Sequence, residues 1–322
     1  MSRDLAALPK AHLHVHLEST LRPSTLAGLG GMPPPPVFAG FGAFSDYNAA
    51  VRACLRSPAD FERVAYEFCL DSAADGVRYA EVTVTAAAHG ARLGIGPAAV
   101  LDGVLAGLRA GSDAAGVETR VVLDHSRRRP LPWAEESVRV AADHPAAVVG
   151  FGVAGDETAP ISPYRAVVDR AAAAGVHLVH HAGETGGADS VREALDVGRP
   201  ERIGHGIRSL EDPGLVARLR DQRVPLEVCP SSNVVLGLAP SLAAHPLPAL
   251  VEASLVVTVN TDIPAISGRT LSAEYAAVRD TFGCTDEELA RFARAAVDAS
   301  FAPPGTKTRL HRDIAAWLSA DQ

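Results

Sequence analysis

The sequence predicts a closed (β/α)8 TIM barrel, and three observations support that fold class. Apolar, β-branched runs alternate with Ala- and Leu-rich segments of helical period, which is typical of repeated βα units. Several of these runs are nearly all apolar, as parallel strands buried on both faces must be. No GxGxxG motif follows the first run, which disfavours an open, doubly wound sheet. We therefore expect one α/β barrel domain over residues 1–322.

The predicted elements alternate along the whole chain. The predicted strands are Ala11–Leu17, Val77–Thr85, Glu118–Leu123, Ala147–Val153, Val176–His181, Arg202–Gly204, Val224–Cys229 and Leu255–Asn260. The predicted helices are Pro58–Asp75, Pro97–Ala114, Glu135–His144, Tyr164–Ala174, Val191–Val197 and Pro213–Arg220. Eight parallel strands with helices between them close into a barrel.

Two segments add to this barrel. Gly30–Gly42, a run rich in glycine and proline, is predicted to be an irregular lid inserted after the first strand. Thr285 and Glu288 have the spacing of a capping box ahead of an apolar-periodic segment. We therefore expect extra helices at the C-terminal end.

Composition excludes several classes of protein. The net charge is -8, and the one dense basic run, Arg127–Arg129, is interpreted as a solvated face rather than a nucleic-acid surface. The four cysteines are widely spaced and form no CxxC motif. The chain shows neither a signal peptide nor an apolar run long enough to cross a membrane. These features predict a reduced, cytoplasmic protein.

Metal-binding residue types occur at the ends of three predicted strands. His14 and His16 are two apart, so strand alternation places both imidazoles on one face. His181 ends the fifth strand and Asp262 follows the eighth. Catalytic groups of a barrel come from the C-terminal strand ends, where these four side chains would meet. Three imidazoles and a carboxylate suit zinc or a similar divalent ion.

Further polar residues lie close to these ligands. Glu184 follows the fifth strand, and His205 follows the sixth between two glycines. His180 alternates with His181 and should point away from the metal, so it is interpreted as structural. The other histidines that we interpret as hydrogen-bonded filler are His12, His89, His125, His144, His177 and His245.

Six short motifs, in this order, resemble those of the adenosine deaminase family in the amidohydrolase superfamily. They are PKAHLHVHLESTLRP (Pro9–Pro23), GDE (Gly155–Glu157), HAGE (His181–Glu184), RIGHG (Arg202–Gly206), CPSSN (Cys229–Asn233) and NTD (Asn260–Asp262). The resemblance extends from residue 9 to the ASFAP segment, Ala299–Pro303.

The resemblance implies a role for each matched residue. One zinc ion per subunit would be bound by His14, His16, His181 and Asp262. Glu184 would donate a proton to the ring nitrogen beside the attacked carbon, while His205 orients and activates the attacking water. Asp262 would help to accept the proton of that water, and Gly155 would offer its backbone N–H to the heterocycle. Zinc lowers the pKa of bound water towards about 7, and a protonated carboxyl makes the ring more electrophilic.

A single metal is expected because the chain lacks the lysine of two-metal relatives. Those members of the superfamily commonly bridge their ions with a carboxylated lysine on the fourth strand. Lys10 and Lys307 are the only lysines here, and neither lies near Ala147–Val153. This supports deamination over two-metal hydrolysis.

The residues that would read the substrate depart from the family pattern. Ile263 stands where a second carboxylate usually binds N7 of the purine, and isoleucine forms no hydrogen bond. Glu18 stands where adenosine-specific members often have an aspartate that contacts the ribose. Glutamate is more typical of relatives that act on adenine or larger purine derivatives. Val153 and Ser19 also differ from the pattern.

The expected activity is hydrolytic deamination of an aminated purine or purine-like nucleoside, with an adenosine-type substrate as the default. Two alternatives stay open: 6-aminodeoxyfutalosine deamination in menaquinone synthesis, and deamination of another aminated heterocycle. A non-catalytic purine-binding barrel is disfavoured because Glu184, His205 and the zinc ligands are all present. The expected partner is a small molecule, neither nucleic acid nor a membrane, and a homo-oligomer stays open.

Overall fold

The computed structural model describes residues 3–35, 38 and 40–320. Eight strands form one sheet in consecutive order, and every paired neighbour is parallel. The strands are β1 (Lys10–His12), β2 (Val77–Val84), β3 (Glu118–Ser126), β4 (Val148–Ala154), β5 (His177–Ala182), β6 (Arg202–His205), β7 (Leu226–Val228) and β8 (Val257–Val259). This order and direction confirm the predicted barrel topology.

The barrel closes through residues that follow the first and last strands. The Asp262 N–H donates to the His14 carbonyl at 3.0 Å, and the His16 N–H donates to the Asp262 carbonyl at 2.9 Å. The side-chain oxygen of Asn260 accepts the N–H groups of Leu13 and His14 at 3.0 and 3.1 Å. An asparagine side chain therefore replaces part of the ladder between β8 and β1.

Helices cover the outside of the sheet and follow it at the C-terminal end. They are α1 (Pro23–Gly28), α2 (Phe41–Cys54), α3 (Pro58–Ala74), α4 (Ala86–Leu93), α5 (Pro97–Ala115), α6 (Leu131–Asp143), α7 (Arg165–Ala173), α8 (Ala188–Glu193), α9 (Pro213–Gln222), α10 (Pro230–Val235), α11 (Leu247–Glu252), α12 (Pro264–Ser267), α13 (Leu271–Phe282), α14 (Asp286–Ala299) and α15 (Pro304–Ser319). Short 3₁₀ segments are Leu17–Ser19, Ser162–Tyr164, Ile207–Glu211 and Leu242–Ala244, and Ala194–Gly198 is a π-helix.

Local sequence explains several of these helices. Ser57 and Asp60 form a capping box at the start of α3, and Thr285 and Glu288 form the predicted one at the start of α14. Helix α5 packs closely against α3 because a glycine occurs where the two approach. A Cβ atom at Gly107 would lie 2.0 Å from the Glu62 carbonyl oxygen, so only glycine fits this crossing.

A buried ion network crosses the barrel interior. The Arg202 guanidinium donates to Glu227 Oε1 at 2.6 Å and forms a second ion pair with Glu81. Its Cζ lies 3.9 Å from the centre of the Phe301 ring. All three charged residues are at most 1% exposed. Since Glu227 also bonds His14, this network connects the barrel core to the four predicted metal ligands.

Two strand boundaries differ from the prediction in ways that matter for function. The predicted first strand ran to Leu17, whereas β1 ends at His12, because the Asn260 side chain takes the N–H groups of the following residues. The predicted third strand stopped at Leu123, whereas β3 continues to Ser126 and brings Asp124 into the sheet.

The predicted lid lies partly outside the described residues, at Pro36, Val37 and Ala39. Phe38, in the described part of the lid, packs with Phe44 of α2, Leu236 and Ile263 in a small apolar cluster. The segment after the first strand therefore covers the C-terminal end of the barrel.

No single helix of the described chain is long and apolar enough to cross a membrane. Helices α4 and α5 reach that length and composition only as a pair, and they are bent by 117° relative to each other.

Candidate active site

Four predicted ligands converge where the strands end. The Nε2 atoms of His16 and His181 lie 3.3 Å apart. Asp262 Oδ1 lies 3.3 Å from His16 Nε2 and 3.5 Å from His14 Nε2. Tetrahedral zinc with bonds of 2.0–2.1 Å separates its ligand atoms by about 3.3–3.4 Å. The spacing of these atoms therefore matches the edges of such a site.

The surroundings of His14 also fit a cation. Its Nδ1 bonds Glu227 Oε2 at 2.9 Å, while its Nε2 forms no hydrogen bond with the described residues. Burial opposes a charge here, yet the nearby carboxylates of Asp262 and Glu227 raise the pKa of His14 to about 10. The cluster thus attracts positive charge, and the bond from Glu227 fixes the ring as carboxylates commonly do for metal ligands.

Two residues of the site have left-handed backbone conformations. Asp262 has φ 60° and His205 has φ 65°, in a region that residues other than glycine seldom occupy. Close packing holds both in place. A Cβ at Gly204 would lie 2.8 Å from His14 Cε1, which explains the glycine before His205. Strain of this kind is concentrated at functional sites.

Glu184 has the properties of a proton donor. It is buried, and its Oε1 lies 3.6 Å from His205 Nε2. Burial, together with the negative charges of Asp262 and Glu157, raises the pKa of Glu184 well above its usual range. A carboxyl that stays protonated near neutral pH can act as a general acid.

A hydrogen-bond chain sets the tautomer of His205. The Leu247 N–H donates to His245 Nδ1 at 3.1 Å, so neutral His245 carries its proton on Nε2. That proton faces Asn233 Oδ1 at 3.1 Å, and the Asn233 amide faces His205 Nδ1 at 3.4 Å. Burial lowers the pKa of His205 to about 3. Neutral His205 therefore carries its proton on Nε2, the atom that faces Glu184.

These residues surround a cavity of about 480 Å³ at the C-terminal end of the barrel. Its wall includes His16, His181, Glu184, His205 and Asp262. The volume lies in the usual range for sites that bind drug-sized molecules.

The chain matches the family model for adenosine deaminase over residues 37–317. An adenine deaminase of Streptomyces coelicolor is 40% identical over 92% of this chain and 91% of its own length. The chain belongs to the adenosine deaminase family. It is therefore a metal-dependent deaminase of the amidohydrolase superfamily. An aminodeoxyfutalosine deaminase of the same organism is 37% identical over 98% of this chain and 87% of that protein.

Solved structures agree with this membership of the adenosine deaminase family. The adenine deaminase of Arthrobacter aurescens superimposes with a TM-score of 0.91 at 33% identity, covering 97% of this chain and 99% of that one. An amidohydrolase of Burkholderia ambifaria with bound zinc superimposes with a TM-score of 0.86 at 26% identity, covering 98% and 90%.

The three predicted substrate-binding residues of this deaminase lie in different settings. Gly155 lies on the cavity wall with φ 87°, and a Cβ there would lie 2.8 Å from Ser126 Oγ. Ile263 also lines the cavity, and its side chain belongs to the apolar cluster with Phe38 and Phe44. Glu18 lies behind the wall formed by Thr85, whose hydroxyl and N–H donate to Glu18 Oε1.

Glu18 is a structural anchor as well as a candidate contact. Its Oε1 also bonds His89 Nε2 at 2.9 Å. Burial acts the other way, but the bonds from His89 and Thr85 hold the pKa of Glu18 below its usual range. Hence His89, interpreted from sequence as filler, ties α4 to the segment that carries the first two metal-type histidines.

Sequence reasoning missed Asp124. It lines the cavity from the end of β3, is 4% exposed, and its Oδ1 has no hydrogen-bond partner among the described residues. Burial raises the pKa of Asp124. Asp124 lies opposite Gly152 on the neighbouring strand β4, and a Cβ at Gly152 would lie 3.0 Å from Asp124 Oδ1. The available signal was a carboxylate at the C-terminal end of a strand, opposite a glycine.

Glu157 and Arg127 hold the end of β5 and the loop that carries Glu184, and the sequence analysis assigned neither of them this role. Glu157 accepts the N–H groups of Gly183, Glu184 and Thr185 at 2.7–2.9 Å. Arg127 is 5% exposed and donates to the carbonyl of His181 at 2.7 Å. The interpretation of Arg127–Arg129 as a solvated face is therefore wrong for its first residue, because Arg127 satisfies a strand-end carbonyl inside the protein.

His180 occupies the structural position expected of it. Its Nδ1 accepts the N–H of Val153 at 3.1 Å and its Nε2 bonds the Gly198 carbonyl at 3.1 Å. Both bonds lie on the side of β5 away from the metal-type residues.

Proposed function

We propose that this chain is a one-zinc deaminase that hydrolyses the exocyclic amine of a 6-aminopurine, free or substituted, and releases ammonia. The main support for the proposal is the convergence of the ligand atoms of His14, His16, His181 and Asp262. All of these residues except His14 line the same cavity as Glu184. The fit of the ligand spacing to tetrahedral zinc supports the choice of metal, as does the zinc in the Burkholderia relative. Zinc bound there would supply Lewis-acid activation of water.

The protein groups would divide the proton transfers. Glu184, held protonated by burial, donates to the ring nitrogen next to the attacked carbon. His205 carries its proton on Nε2, so it orients the water and stabilises developing negative charge as a donor. Asp262 then accepts the water's proton, since its Oδ2 is already oriented by the Ser232 hydroxyl at 2.5 Å.

The purine would be read by a changed set of groups. Ile263 offers an apolar surface where a carboxylate is usual, whereas Asp124 offers an unpartnered oxygen from the opposite side of the barrel. We propose that Asp124 hydrogen-bonds the ring and that the Gly155 N–H does the same. These changed hydrogen-bonding groups favour the substrates for which the relatives are named, adenine and aminodeoxyfutalosine, over adenosine.

Ammonia release from zinc-loaded protein tests this function. Adenine, adenosine and aminodeoxyfutalosine should be compared under one set of conditions. We expect either adenine or aminodeoxyfutalosine to be hydrolysed with a kcat/KM above about 10⁴ M⁻¹ s⁻¹, the lower end of the usual enzyme range. Turnover of adenosine alone would reject the changed substrate reading, and no ammonia from any of the three would reject the proposed function.

A further inference from the structure

A second, smaller cavity adjoins the active site. It measures about 280 Å³, and its wall includes Arg52, Arg92, Arg129 and Trp133. Arg52 and Arg129 also line the active-site cavity, so the two spaces meet at these two side chains. Arg52 comes from helix α2 and Arg129 from the loop between β3 and α6. Both arginine side chains therefore border the active site as well as the small cavity.

The two shared arginines, Arg52 and Arg129, have no anionic partner among the described residues. Neither Arg52 nor Arg129 forms an ion pair or side-chain hydrogen bond with the residues that the structure describes, although the Arg129 guanidinium lies 6.0 Å from the Trp133 ring centre. No carboxylate occurs among the described residues that line the small cavity. Three guanidinium groups thus face one space without compensation, in a chain whose net charge is -8.

Two neighbouring arginines, unlike Arg52 and Arg129, form side-chain hydrogen bonds within the part of the chain that the structure describes. Arg128 also lines the active-site cavity, but it donates to Asp156 at 2.6 Å and to the Thr158 hydroxyl at 2.8 Å. Its charge is therefore already neutralised within the protein. Arg92 is oriented by bonds to the Leu55 carbonyl and to His89 Nδ1, so its position is set before any ligand arrives.

We propose that the substrate carries an anionic group, a carboxylate or a phosphate, which Arg52, Arg92 and Arg129 bind at the small cavity while the amino-purine lies in the active site. This inference rests on the proposed deaminase function and narrows its substrate class. Guanidinium groups bind carboxylates and phosphates with two parallel hydrogen bonds, and both anions present oxygens that suit them. Trp133 would pack against the linker between purine and anion.

Paired substrates that differ in one charge test the inference. Adenosine serves as the neutral probe, adenosine 5′-monophosphate as the phosphate probe and adenosine 5′-carboxylic acid as the carboxylate probe. We expect zinc-loaded protein to prefer at least one anionic probe in kcat/KM. Arg52→Gln and Arg129→Gln should each lower kcat/KM for that probe by about 10- to 100-fold, the loss expected for a hydrogen bond to a charged group. The same variants should change the value for adenosine by less than about threefold.

Direct binding keeps this test separate from the deaminase function. Calorimetric titration of each probe into the protein needs no turnover, so a failure to release ammonia leaves it valid. Arg139→Gln is the matched control, since Arg139 lies on the outer face of α6 and pairs with Asp143. Tighter binding of an anionic probe that weakens in the Arg52 and Arg129 variants, but not in the control, supports the proposal. Equal binding of charged and neutral probes, or equal losses for both in these variants, overturns it.

Discussion

Replacing Glu184 by glutamine is expected to lower kcat by about 10²–10⁴-fold, the contribution typical of a general acid. The substitution keeps the size of the side chain and removes the carboxyl proton that the raised pKa of Glu184 preserves. Because Glu184 is not one of the proposed ligands, the metal content should stay at one ion per chain. Steady-state kinetics on the best purine substrate, with metal analysis of the same preparation, measures both quantities.

Glu201→Gln provides the comparison for this variant. Glu201 is an exposed carboxylate that pairs with His177 at the start of β5, at the end of the barrel away from the cavity. It should keep the parent kcat within about twofold, as surface changes usually do. If Glu184→Gln kept full activity, or lost its metal together with its activity, Glu184 would not be the proton donor.

Replacing Arg202 by methionine is expected to lower the free energy of unfolding by about 3–5 kcal/mol. The guanidinium is fully enclosed and bonds two buried carboxylates, Glu81 and Glu227. Methionine fills much of the volume but leaves both carboxylates buried without the guanidinium charge that compensates them, which is why the loss is large. Urea unfolding followed by circular dichroism gives the difference. A chelator in both samples removes the contribution of metal binding to stability.

Arg170→Met tests whether this loss depends on burial. Arg170 pairs with Glu135 at 2.7 Å, but both side chains are about half exposed, so the loss should be at most about 1 kcal/mol. A loss for Arg202→Met no greater than for Arg170→Met would contradict the view that the network supports the barrel core.

The convergence of the four proposed ligands could be predicted from sequence because strand geometry constrains where their side chains point. His14 and His16 are two apart, and the same face is presented whether the ladder runs to residue 17 or ends at His12. The error in the predicted end of the first strand therefore did not change the predicted positions of His14 and His16. The barrel itself was predictable because most residues of its strands are buried, and most of the buried ones are apolar.

Residues that depend on contacts distant in sequence were not predictable. Asp124 was missed because the polar run after Leu123 was taken as a strand end, whereas Gly152 on β4 makes room for that carboxylate inside the sheet. Arg127 was interpreted as solvated because a basic triplet gives no sign that its first member reaches the His181 carbonyl. Arg52 and Arg129 line the same two cavities because of the way helix α2 lies over the barrel, which local sequence patterns do not specify.

Anomalous X-ray diffraction from crystals of zinc-loaded protein, recorded above and below the zinc absorption edge, tests the proposed metal site directly. We expect one strong difference peak per chain within about 2.0–2.2 Å of the Nε2 atoms of three histidines and of one aspartate oxygen. These residues are His14, His16, His181 and Asp262. A map with no peak among them, or with zinc bound elsewhere and this cluster empty, would contradict it.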